Sequence, residues 1–212
     1  MLIWKPRSLL KSDMIVEEII TRVKEELNPK RLKHTMGVLD YSVLLAEKHD
    51  EDCLPVKIAA LYHDAYRNHK KNELIRIAKK NKMTITAEEQ FNPILLHGRL
   101  AANDLRNRYP SLSRIDEISE AVQYHTSGYT FSSKIGKIVF IADSLEKNRI
   151  YPGVEDLRKL SIVDLNEAFF LILKGKVRLA LEKNHIVLKE TINAYNSTLI
   201  NREIIHDKHL GV

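Results

Sequence analysis

The chain has 212 residues, 44% apolar and 29% charged, which suits one well-formed core and excludes a disordered or fibrous chain. Its one cysteine, Cys53, excludes an internal disulfide and a thiolate-rich zinc site, and fits a reducing, cytoplasmic setting. The formal net charge of +6 suits a polyanionic partner without choosing one.

Apolar residues recur mostly at helical spacing and rarely alternate, so the sequence predicts an all-α protein. Residues 1–11 read as a loose basic arm with no apolar core of signal-peptide length, and residues 12–212 as a single domain. Ser12 or Asp13 is placed to cap a helix running to about Leu27, which Asn28-Pro29 ends. In the next helix Leu32, Met36, Leu39 and Val43 form one apolar stripe, with His34, Val38, Tyr41 and Leu45 on the adjacent face. After the turn "EDCLP", a helix starts near Pro55 and carries "AALYHDAYR", with His63 and Asp64 inside its apolar stripe. "NELIRIAKK" predicts a short helix, followed by a connection with another helical turn. "ILLHGRLAANDLRNRYP", "SRIDEISEAVQYH" and "SKIGKIVFIADSLEKNR" predict three more, and two amphipathic helices fill residues 155–204. The apolar run "IVFIA" is far too short to span a bilayer.

Six residues of metal-ligand type sit on or beside these apolar helical faces: His34, His63, Asp64, His97, His125 and Asp143. A lone histidine of this kind is more often a hydrogen-bonded core residue. Recurrence on five helices calls for one cause: four imidazoles and two carboxylates converging on two divalent ions inside a bundle. Asp64, with two oxygens, is the natural bridge. His49, His69, His185, His206 and His209 lie among charged residues and are read as solvated.

The ordered pattern H…HD…H…H…D resembles the HD superfamily of metal-dependent phosphohydrolases. "RLKHTMGVLDYSVLLAEKH", "AALYHDAYR", "ILLHGRLAA", "VQYHTSGY" and above all "NRIYPGVEDLR" resemble the YqeK family of symmetrical diadenosine tetraphosphatases, over about residues 15–200. The resemblance implies an HD-domain helical bundle. It further implies that His34, His63, Asp64 and Asp143 hold one ion, and that Asp64, His97 and His125 hold the other. The ions would be divalent or mixed-valence iron by family likeness. The imidazole-rich donor set suits Fe, Mn, Co or Zn over Mg or Ca. A water bridging the two ions would split diadenosine tetraphosphate into two ADP. Arg67 stands where the family usually has Lys, "ADSLEKNR" lacks the family's Pro, and "HTSG" replaces "HTTG".

Arg67 is expected on the His63 face, clamping a phosphate and taking part in catalysis with Asp64. Gly98, Arg99, Thr126, Gly128 and Arg149 are the further substrate-contact candidates. The expected partner is a small dinucleoside polyphosphate, not nucleic acid or membrane, and a homodimer stays open. The first alternative is an HD hydrolase of a mononucleotide or cyclic nucleotide. A basic nucleic-acid-binding module is opposed by the lack of a Lys/Arg stripe interleaved with aromatics. A metal-bearing but inactive regulatory domain is opposed by the intact ligand set.

Overall fold

The computed structural model describes the backbone of residues 7–210 and the side chains of residues 14–201. Among the described residues the chain forms eleven α-helices in the order α1 (Arg7–Glu26), α2 (Pro29–Lys48), α3 (Cys53–Tyr62), α4 (Lys71–Lys80), α5 (Ala87–Phe91), α6 (Leu96–Arg108), α7 (Ile115–Tyr124), α8 (Lys134–Leu145), α9 (Val154–Val163), α10 (Leu165–Glu182) and α11 (Lys189–Leu210). A 3-10 turn, Pro93–Leu95, leads into α6. Several starts follow local chemistry. Asn28 accepts from the Arg31 N–H and places Pro29 in the first turn of α2, and Asp52 accepts from the Leu54 N–H to start α3. Thr86 and Glu89 form a reciprocal capping box on α5. None of these helices is long and apolar enough to cross a membrane.

The bundle is organised by α3 and α8, which are apolar nearly all round and therefore lie at its centre. Val56, Ile58, Ala59, Ala60, Leu61 and Tyr62 of α3 are buried, as is every residue of α8 from Ile138 to Ala142. Helices α1, α2, α6, α7 and α8 all pack on α3, and α10 with α9 closes the far side of α8. Leu74, Ala78, Leu96 and Leu100 form a separate small core between α4 and α6, and Tyr66 packs against both cores. The result is a single all-α domain.

Five expectations change. Helix α1 begins at Arg7, so the stretch read as a loose arm is helical from there on; residues 1–6 lie outside the described ones. In α2 the stripe of Leu32, Met36 and Leu39 is only half-buried, whereas Val38 and Leu45 are fully buried. Small neighbours Thr35, Gly37, Ser42 and Ala46 let that side of the helix approach the centre. The helix α3 ends at Tyr62, and the chain then tightens into turns closed by Ala65 N–H to Tyr62 O (3.1 Å) and Arg67 N–H to Asp64 O (2.9 Å). His63 and Asp64 therefore sit at the helix end rather than in its interior. Residues 155–204 hold three helices rather than two, because Asp164 stops α9 and caps α10. His49 is also tied down, its Nε2–H donating to the Ser161 carbonyl at 2.7 Å. The side chains of His206 and His209 lie outside the described residues.

One polar network braces α1, α3 and α6. Arg22 Nη1 and the Tyr62 hydroxyl each donate to Asp104 Oδ2 at 2.7 Å, and Arg108 Nε donates to the same carboxylate at 3.0 Å. Burial alone would raise the Asp104 carboxyl, but the hydrogen bonds from Tyr62 and Arg22 outweigh it and hold the group below 3.8. Its contribution to stability is thus complete above that value and fades as pH falls below it. Asp104→Ala should cost roughly 2–3 kcal/mol at neutral pH, by leaving Tyr62 and Arg22 without their acceptor. Denaturant melts at pH 7 and pH 3 check this, the difference between variant and parent shrinking at the lower pH.

Candidate metal centre

Three of the four histidines are set by the same local device. His63 caps the end of α3, His97 is the second residue of α6, and His125 caps the end of α7. In each, ring Nδ1 faces the backbone carbonyl three residues earlier: Ala60 at 2.6 Å, Ile94 at 2.5 Å and Val122 at 2.8 Å. A carbonyl only accepts, so Nδ1 carries the proton and Nε2 is left with a lone pair. His34 reaches the same state differently. Its Nδ1 donates to Glu146 Oε1 at 3.1 Å, a buried carboxylate held in turn by the Asn148 N–H (2.7 Å) and Nδ2 (2.8 Å). Burial would raise the Glu146 carboxyl, but the Asn148 and His34 contacts lower it below its usual range.

The free Nε2 atoms meet at Asp64. Its Oδ2 lies 3.5 Å from His63 Nε2 and 3.8 Å from His34 Nε2, and its Oδ1 lies 3.4 Å from His97 Nε2 and 3.7 Å from His125 Nε2. The two oxygens thus face two separate imidazole pairs, as a bridge requires. His34, His63 and Asp64 form one set able to hold a metal ion, and Asp64, His97 and His125 the other. Asp143, from α8, joins the first through His34, with Oδ1 3.0 Å from Nε2. All six residues expected to be ligands converge, from five helices or their ends.

The donor set has one chemical property that decides how it reads. The four ring nitrogens and the carboxylate oxygens that face one another all offer lone pairs, met on Asp64 by the Arg31 guanidinium. His97 Nε2 and His125 Nε2 lie 3.1 Å apart, too close for two lone pairs with nothing positive between them. The Nε2 atoms of His34 and His63 are buried without a hydrogen-bond partner. Protons can fill this role at His63 but not at His97. Burial, and then the neighbouring His125, push His97 down to about 3. Asp64 is held well below the usual carboxylate range, where burial is overcome by His63 and then His125. His63 shows the local demand for positive charge: burial would lower it, yet Asp64 raises it. Cations fit this cradle.

Glycines let the elements approach. A Cβ on Gly37 would collide with the Glu146 carboxylate, so only glycine lets Glu146 lie against α2 and reach His34. A Cβ on Gly98 would stand 2.6 Å from the Gln123 carbonyl, so Gly98 brings α6 against α7 and His97 beside His125. Gly98 was expected to meet substrate; its space is taken by α7. Gly128 was expected to offer its N–H to phosphate, but that N–H donates to the Tyr124 carbonyl at 2.8 Å. Gly128 has φ +71 and is walled by Leu173 and Phe140. Arg99 was expected to face the phosphates; its Nη1 is bound to Glu89 at 2.6 Å and to the Thr84 carbonyl at 3.1 Å, bracing α5.

The remaining substrate candidates border the centre. The Thr126 hydroxyl is 3.0 Å from His125 Nε2. Arg149 Nη2 donates to Asp143 Oδ1 at 2.9 Å, and its Nε to the Asp143 carbonyl at 2.8 Å. Arg67 is half-buried and makes no ion pair among the described residues, although its charge acts on Asp64 and Asp143. It follows Asp64 in a tight turn, not one α-helical turn after His63.

Sequence reasoning missed several contributors. Arg31 Nη1 donates to Asp64 Oδ2 at 2.7 Å. Lys176, from α10, donates to the Thr126 carbonyl at 3.1 Å and lies over the Phe140 ring. Arg158 donates to the carbonyls of Leu145 (2.7 Å), Glu146 (2.8 Å) and Arg149 (2.9 Å), stapling the loop that carries Glu146, Asn148 and Arg149. The signal was present in "EKNRIYPGVEDLR", whose Glu, Asn and two Arg all act on the centre or its frame.

The profile of the HD domain matches residues 31–148, which include all six convergent residues. The chain belongs to the HD-domain family. It is 34% identical over 180 residues to a Bacillus subtilis (strain 168) protein named "Bis(5'-nucleosyl)-tetraphosphatase, symmetrical", covering 85% of this chain and 95% of the relative. A Halalkalibacterium halodurans protein of the same name is 30% identical over 181 residues, with 85% and 95% covered. Such similarity along nearly the full length of both makes the chain a member of their family within the HD proteins. The crystal structure of a Clostridium acetobutylicum protein, described as an "HD superfamily hydrolase involved in NAD metabolism", superposes with a TM-score of 0.80 at 29% identity, covering 87% of this chain and 97% of that one.

Because Glu146 fixes the proton on His34, Glu146→Ala should weaken metal retention about 10- to 100-fold, while Glu146→Gln should retain more. Metal content measured after dialysis against a graded chelator checks the order.

Proposed function

We propose that the protein hydrolyses diadenosine tetraphosphate symmetrically, with water and one dinucleotide giving two ADP. The observation that carries this reading is the convergence of acceptor-only side chains on Asp64, reinforced by full-length similarity to proteins that bear the name of this activity. His34, His63, Asp64 and Asp143 would hold one ion, and Asp64, His97 and His125 a second. The donor set suits Fe, Mn, Co or Zn, with iron the choice that the family resemblance favours. When bound, the two ions would supply Lewis-acid polarisation of the phosphate and activation of water near neutral pH.

The chain's own residues do the rest. The Nδ1 hydrogen bonds fix ring orientation before any ligand arrives, so little reorganisation remains at the moment of reaction. Arg31, Arg67, Arg149 and Lys176 surround the centre with four positive charges, matched to a substrate with four consecutive phosphates. Arg67, which forms no ion pair among the described residues, is the side chain assigned to clamp a phosphate oxygen. Arg149 and Thr126 stand at the border where the chain beyond the central phosphates would pass. A nucleoside diphosphate is a good leaving group, so positioning and charge suffice and no general acid is assigned. The reading is that of an HD domain carrying α9–α11 on its core, acting in the cytoplasm, where a dinucleoside polyphosphate substrate would be met.

Purified protein reconstituted with each candidate metal should release ADP as the sole nucleotide from diadenosine tetraphosphate. Asp64→Ala should lower turnover by about three orders of magnitude or more, because it removes the bridge between the two imidazole pairs. Release of AMP and ATP, or phosphate release from mononucleotides with the dinucleotide left intact, overturns the assignment. Arg67→Ala should raise KM and lower kcat, with Arg67→Lys recovering much of both.

A further inference from the structure

A cleft of about 580 Å³ opens on the other side of the loop that follows Asp64, between α1, α4 and the end of α6. None of the six convergent residues lines it. Loop residues divide between the two sites. Arg67 acts on Asp64 and Asp143, whereas Tyr66, Asn68 and His69 line the cleft. The volume is that of a small-molecule site.

The charge in the cleft is unbalanced. Arg22 and Arg108 are matched by Glu26 and Asp104, through contacts of 2.7 to 3.0 Å. Arg76 and Lys80 line the cleft, are exposed and form no ion pair among the described residues, although Arg76 is drawn on by the Glu73 carboxylate one turn earlier on α4. They stand four apart on α4, where like charges repel on a shared helix face. An anion between them removes that repulsion. Beside them is a tilted aromatic pair, the rings of Tyr66 and His69, with centroids 5.3 Å apart and planes at 32°, the imidazole Nδ1 lying 3.7 Å from Glu73 Oε2. Two cations next to an aromatic platform match a phosphorylated heteroaromatic ligand.

We infer that this cleft is a second nucleotide site, taking a nucleoside diphosphate or polyphosphate with its base on the Tyr66–His69 rings and its phosphates on Arg76 and Lys80. The site is separate from the metal centre but shares a wall with it. Asn68 donates to the Glu26 carbonyl at 3.2 Å and accepts from Asn28 at 2.8 Å, and Asn28 caps the turn that carries Arg31. A ligand touching Asn68 therefore bears on the residue that grips Asp64.

The test is photolabelling of the metal-loaded full chain with an azido-substituted ADP at about 0.15 M salt, where exposed charges are screened. Label should map to the segment from Asn68 to Asn81, which excludes Arg67 of the metal centre. It should fall about tenfold or more in Arg76→Ala/Lys80→Ala and in Arg76→Gln/Lys80→Gln, with melting temperature and dinucleotide turnover without added ADP unchanged. Pyrophosphate should compete at least about tenfold less well than ADP, since it lacks the base that stacks. Labelling confined to peptides of the metal centre, labelling indifferent to both double variants, or equal competition by pyrophosphate overturns the inference.

Discussion

A carboxylate that meets lone pairs on both sides governs this molecule. Asp64 sits buried at the end of the central helix, with one imidazole pair on each oxygen. Isolated, such a carboxylate would be costly to bury. Arg31 alone does not settle the cost, because all four ring nitrogens facing Asp64 also repel added electron density. The arrangement makes chemical sense as a cradle for cations, and the whole bundle is built to deliver six side chains to it. Helices α3 and α8 are apolar nearly all round, which lets them bring His63, Asp64 and Asp143 to the middle of the core.

Around that cradle lies a layer whose task is geometry. Carbonyls orient three rings, and a carboxylate orients the fourth. Glu146 can do this only because Gly37 yields its side-chain space, and Arg158 holds the backbone of the loop on which Glu146 stands. The two glycines beside ligands, Gly98 and Gly37, thus act through helix approach. The ordering of the rings is achieved mostly by backbone groups, which a side-chain substitution elsewhere does not readily disturb.

Much of the site could be read from the sequence, since histidine and aspartate are conspicuous on apolar helical faces. That route reached all six convergent residues and the helical class. It failed where a residue type is common and its role depends on which helix lies alongside. Glu146, Asn148, Arg31, Arg158 and Lys176 look like ordinary surface polar residues until the fold aligns them. Gly98 signalled close approach of a ligand or a helix without deciding between them, and the helix is α7; Gly128, read as a phosphate contact, is instead packed by the Leu173 and Phe140 side chains. The end of α3 at Tyr62 was hidden because no glycine or proline marks it, and the chain changes only from four-residue to three-residue hydrogen bonding there. Asp164 was read past for the opposite reason, a single capping residue inside an otherwise continuous amphipathic run.

The separate small core formed by Leu74, Ala78, Leu96 and Leu100 has a kinetic corollary. Helix α4 draws its burial from this satellite, while α3 and α8 draw theirs mainly from the large core. Cooperative units with fewer buried apolar partners open at lower free energy. Backbone amides of α4, from Lys71 to Lys80, should therefore exchange with deuterium long before those of the central pair, so the wall of the basic cleft can breathe while the inner cradle stays closed.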